Sequence, residues 1–101
     1  MITHHGLAFR FCTPLATNDG EPFTIEAWTW WKEEIVKLMD VLGDSAEGPW
    51  IANTARFRWV EWAVRSEKDL VPLLEFVQAT RERFGIDAVY YEHHEVTFGR
   101  A

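Results

Sequence analysis

Along residues 5–12 apolar and polar positions alternate, so that Leu7, Phe9 and Phe11 share one side at a period of two. The pattern predicts a half-buried strand, which Pro14 ends. Turn residues crowd the stretch from Thr13 to Glu21, with Asn18-Asp19-Gly20 the strongest signal, and predict a loop. The period then lengthens to that of a helix. Trp28, Trp31, Ile35, Leu38, Met39 and Leu42 recur every three or four residues and form the apolar stripe of a helix over 25–42. Thr24 is suited to cap its start, Phe23 and Trp28 to staple it, and Gly43 to stop it. Trp30 falls roughly 120° from the centre of the stripe and is expected to be exposed, near Glu33, Glu34, Lys37 and Asp40.

Residues 43–49 read as a linker, with a short strand opening at Trp50-Ile51-Ala52 and a turn at Asn53-Thr54. From Arg56 to Arg65 the alternation returns. Val60, Trp62 and Val64 are assigned to the side that meets the helices, and Phe57, Trp59 and Glu61 to the other. Asp69 is the expected cap of a second helix running to Phe84, because Pro72 then lies in the first turn, where its missing N–H breaks no intrahelical bond. Its stripe is Leu70, Leu73, Leu74, Val77 and Phe84, and Gly85 closes it. The last strand covers 88–98. Val89 and Val96 differ in parity there, which predicts a bulge near His93-His94. Strand, helix, strand, strand, helix, strand is the order of an α+β, ferredoxin-like β-α-β-β-α-β sandwich: one antiparallel sheet with two helices on one face, in a single domain over 1–101.

Composition agrees with a globular chain: 101 residues, 48% hydrophobic and 26% charged. Six Trp, seven Phe and two Tyr supply ample core material, so disulfides are not required, and a single Cys cannot form one within the chain. Cys12 lies in an apolar run and is expected to be a buried, unreactive thiol. The chain has no long apolar run, and its first residues lack the basic and apolar regions of a secretion signal, so a cytoplasmic protein without membrane contact is expected. Ten basic against sixteen acidic side chains give a net charge of −6. Residues 19–47, with eight acids and two bases, carry all of it. Direct binding of nucleic acid is therefore disfavoured, and a basic or nucleic-acid-handling protein is the expected partner.

Catalytic signatures are scarce. No Gly-x-Ser-x-Gly elbow and no phosphate-binding glycine loop occurs, and the glycines fall at turns and helix ends. Glu61, between Trp59 and Trp62, is a candidate general acid, unless Arg10, Arg56 or Arg58 pairs with it. His5, His93 and Glu95 would converge on a metal if the strand register set His5 opposite His93, but no known metal spacing is present. No metal or cofactor is expected. Helices on one side leave the second sheet face open, carrying Phe57, Trp59 and Tyr91 beside Arg56, Glu61 and His93, and such a patch predicts homodimerisation or partner binding. RNA stacking on it is not supported, since the consensus basic and glycine residues are missing. The leading expectation is a non-enzymatic acidic interaction module, an inhibitor in the manner of bacterial immunity proteins or phage anti-defence proteins. Its contact residues would be Trp30, Glu33, Glu34 and Asp40 on the first helix, with Trp59 and Glu61 on the sheet. The alternative is a dimeric small-molecule binder or enzyme whose cleft, beneath the loop at 13–21, is lined by Glu61, His93 and His94.

Overall fold

The computed structural model describes residues 2–17, 19–52, 55–87 and 89–100, and their side chains except those of 2–6, 52, 94 and 96–100. Its elements are β1 (Ile2–Pro14), α1 (Ile25–Leu42), β2 (Ser45–Ala52), β3 (Ala55–Val64), α2 (Leu70–Phe84) and β4 (Tyr90–Arg100). The strands pair in the order β2-β3-β1-β4, every neighbour antiparallel. This is the ferredoxin-like arrangement the alternating patterns predict.

Alternation on the two central strands decides where the core lies. Phe9 and Phe11 of β1 pair with Trp62 and Val60 of β3, and all four side chains are buried on the same sheet face. Ala27, Trp31 and Ile35 of α1 and Leu73, Phe76, Val77 and Phe84 of α2 close over them in one continuous cluster. α1 forms where its signals place it: Thr24 Oγ1 accepts from the Ala27 N–H at 3.1 Å, the Gly43 N–H donates to the Met39 carbonyl, and the Phe23 and Trp28 rings meet edge to face. α2 follows a short 3-10 turn at Glu67–Asp69, and the Asp69 carboxylate accepts from the Arg65 N–H instead of from the helix. Gly85 takes the left-handed conformation, φ 67°, that lets the helix stop.

Four expectations need correction. β2 opens at Ser45, within the supposed linker. As an edge strand it tolerates Gly48 and Pro49, since one side of its backbone has no ladder to complete. β4 has no bulge: its pairing with β1 runs rung by rung from Cys12↔Tyr90 to Ile2↔Arg100. Val89 precedes the strand, so its parity imposes nothing on Val96. In α2, Phe76 and Thr80 replace Leu74 on the buried stripe, and Leu74 lies exposed on its flank. Trp30 is half-buried, because α2 covers that side of α1 and sets Phe76 and Phe84 against its ring. The turn expected at Asn53-Thr54 lies outside the described residues.

Candidate functional site

Residues of opposite parity to the core build the sheet's second face, and the register sorts them into rows. The first row reads Ala46, Glu61, Arg10, Glu92 across β2, β3, β1 and β4. The next reads Gly48, Trp59, Cys12, Tyr90, and a third begins Trp50, Phe57, Pro14. A charged row therefore borders an aromatic band. Arg10 is its pivot: it lies 3.5 Å from the Glu61 carboxylate, and its guanidinium stacks 4.4 Å from the centre of the Trp59 ring. Beneath Trp59 there is room only for glycine, since a Cβ at Gly48 would come within 2.6 Å of the indole.

The aromatic band gathers toward one end. Trp50 lies 5.2 Å from Phe57 and 5.9 Å from Tyr90, ring centre to ring centre. Phe57 and Tyr90, with Cys12, Pro14, Thr17 and Arg56, also line a cavity of about 670 Å³ at the mouth of the loop after β1. That volume lies within the range of about 300–1,000 Å³ usual for small-molecule sites. The Tyr90 hydroxyl donates to Glu92 at 2.7 Å, which ties the band to the charged row and raises the phenol above its ordinary pKa. Burial raises the Cys12 thiol; Arg10 opposes this and Glu92 adds to it, so the group stays protonated at neutral pH, as its apolar setting predicts.

The six residues singled out in the sequence do not form one surface. Trp59 and Glu61 lie on the open sheet face, whereas Trp30, Glu33, Glu34 and Asp40 lie on α1, in the layer behind the sheet. Trp30 packs at the seam between the helices with Arg83 over its ring, Glu34 pairs with Lys37 at 3.1 Å, and Glu33 and Asp40 are exposed. Lys32 reaches across to Glu47 on β2. Tyr91 and His93 are not on the open face: they pair with Phe11 and Phe9, and Tyr91 stacks on Phe9 on the helix side. Glu61 and His93 therefore do not share a cleft, because they lie on opposite faces of the sheet; the side chain of His94 is outside the described residues. The metal arrangement fails on register. His5 sits opposite Thr97, four residues along β4 from His93, a separation of roughly 13 Å at ~3.3 Å per residue. The side chain of His5 is also outside the described residues, and among the described residues no helix is long and apolar enough to cross a membrane.

Sequence reasoning missed Tyr90, Glu92 and Trp50. Their signal was the unused half of each alternation: once Phe9 and Phe11 are core, Arg10 and Cys12 must face away, and their β4 partners face away with them.

No family model matches the chain, and no curated protein matches its sequence. Two solved structures match its fold. One is a phage SAM lyase in the apo state, 21% identical, covering 90% of this chain and 81% of its own, with a TM-score of 0.64. The other is a phage SAM lyase in complex with S-methyl-5'-thioadenosine, 14% identical, covering 94% and 90% with a TM-score of 0.57. These likenesses overturn the leading expectation of a non-enzymatic inhibitor, since both neighbours are enzymes and both span nearly the whole chain. The small-molecule alternative fits them better.

Proposed function

We propose that this chain is an enzyme that binds an adenosyl sulfonium at the aromatic end of its open sheet face and breaks a carbon–sulfur bond in it. The observation that carries the reading is the likeness to phage SAM lyases along almost the whole chain, one of which holds S-methyl-5'-thioadenosine. In S-adenosylmethionine the sulfur bears three carbons and a positive charge. Removing the amino-acid arm leaves that thioether: the carbon–sulfur bond breaks, both electrons stay on sulfur, and the charge there disappears. The departing carbon regains its fourth bond within its own fragment, through the carboxylate oxygen or by loss of a neighbouring proton, so no water is consumed.

The residues at this end suit such a ligand. Trp50, Phe57 and Tyr90 present aromatic faces for the planar base and for the polarised carbons around a sulfonium. Arg56, lining the same cavity, is a cation for the carboxylate of the amino-acid arm. Self-association belongs to this reading, because Trp50 and Tyr90 are 41% and 49% exposed and a second copy would shield them. Light scattering that gives the monomer mass at every concentration would remove that part.

Incubating the purified protein with S-adenosylmethionine and separating the products by chromatography with mass detection tests the main reading. Expected are S-methyl-5'-thioadenosine and an equal amount of a four-carbon fragment; ring closure and proton loss give isomers of one mass, which chromatographic retention against standards tells apart. Lack of turnover together with lack of binding would reject it.

A further inference from the structure

We propose that Glu92 is the residue by which this site tells a charged ligand from its neutral product. The inference rests on the reading of the site as one for an adenosyl sulfonium and adds to it a source of selectivity. Reaction at the sulfonium abolishes a positive charge while leaving the adenosine portion unchanged. The aromatic surface stacks on the adenosine portion of both alike and favours the cation only through its weak attraction to the ring faces. A fixed negative charge beside the aromatic band supplies the larger part of the discrimination.

Two carboxylates flank Arg10 in the charged row, and they are not equivalent. Glu61 is matched by the Arg10 guanidinium at 3.5 Å, and Trp59 and Gly48 fix the position of that guanidinium from below. Glu92 lies on the other side of Arg10 and accepts instead from Tyr90 at 2.7 Å. Two carboxylates against one guanidinium leave the row with one excess negative charge, and the Tyr90 bond holds it against the aromatic band. A hydroxyl donor orients a carboxylate without neutralising it. Tyr90 also lines the cavity, so the same side chain that offers its ring to the ligand aims the Glu92 charge beside it. A cation a few ångströms from that carboxylate gains about tenfold or more in affinity at the effective dielectric of a half-buried site, and a neutral sulfur gains nothing. Product would leave once the charge is gone.

Two uncleaved probes separate these cases. S-adenosylhomocysteine carries the full amino-acid arm on a neutral sulfur, and the analogue with an amine-bearing carbon in place of the sulfonium carries the same arm with a positive charge. Titration calorimetry on the wild-type protein is expected to favour the cationic probe by about tenfold. In Glu92→Gln the ratio should fall several-fold, through loss of affinity for the cationic probe alone, leaving only the small preference of the aromatic faces. Glu92→Asp, which keeps the charge, should restore most of the preference, and far-ultraviolet circular dichroism establishes that both variants are folded. An unchanged ratio in folded Glu92→Gln would overturn the role of Glu92 while leaving the adenosyl site intact. Failure of the wild type to bind either probe, with no S-methyl-5'-thioadenosine formed, would overturn the functional reading and this inference with it.

Discussion

The two faces of the sheet are made from the same strands and use aromatic side chains for opposite ends. On the helix side Trp31 and Trp62 are fully buried, and rings meet edge to face, as Phe11 and Phe76 do. On the open side Trp50 and Tyr90 stay close to half exposed, and Trp59, half-buried, carries a guanidinium. Burial on the first face contributes stability. The second face leaves apolar area uncovered, a cost that a small-molecule site or a second copy recovers on binding. Residues one position apart in the chain thus face different ways: Tyr91, itself 44% exposed, stacks on Phe9 at the margin of the helix side, while Tyr90 lies on the open face and lines the cavity.

The sharpest way to break this contrast is to truncate one tryptophan from each face. Trp31→Ala is expected to lose about 3–5 kcal/mol of unfolding free energy, as large cavities in a packed core do. Trp50→Ala should cost less, about 1 kcal/mol, since the ring is 41% exposed and loses only its contacts with Phe57 and Tyr90, yet weaken binding of adenosyl compounds. Urea unfolding measures the first effect and calorimetry the second. Equal losses of stability would show that the open face is structural as well.

Gly48→Ala comes next. The new methyl group meets the Trp59 indole at 2.6–2.9 Å, and overpacking of this kind costs about 1–3 kcal/mol. The double variant with Trp59→Ala should cost less than the sum of the two single changes, which a thermodynamic cycle on the two positions reads directly. Additivity would mean that the two residues do not touch in solution.

Away from both faces, Thr24→Ala removes the side-chain acceptor at the start of α1 and should cost about 1 kcal/mol, with no effect on ligand binding. The smallest effect concerns Cys12. Its folded-state pKa is raised chiefly by burial, so the unfolded chain ionises first as the pH climbs. The stability from that thiol is complete below the unfolded pKa and is lost as pH rises toward the folded one. Alkylation by iodoacetamide at pH 8 should accordingly be slow in the native protein and fast in urea, and equal rates would contradict the burial.

Much of the fold is legible because local chemistry and global pattern agree. Thr24, the Trp28-to-Leu42 stripe and Gly43 define α1 to the residue, and the alternation of β3 places Val60, Trp62 and Val64 correctly. Legibility ends where a residue type has two uses. Gly48-Pro49 has the composition of a turn, and only its place on an edge strand under Trp59 makes it strand. Adjacent tyrosines in β4 give no sign of which one faces the core until the Cys12↔Tyr90 rung is known. The site was half legible for the same reason. Trp59 and Glu61 announce an open face, whereas Glu92 joins them only through pairing with a strand some eighty residues earlier in the chain.

Gly48 also bears on how this chain can evolve. Trp59 lies flat only because position 48 has no side chain, and Arg10 stacks only because Trp59 lies flat. The three positions sit on three different strands, yet they form one heritable unit. In diverging descendants a side chain at 48 should follow the loss of the large ring at 59 and not precede it, and the arginine at 10 should become free to drift in the same lineages.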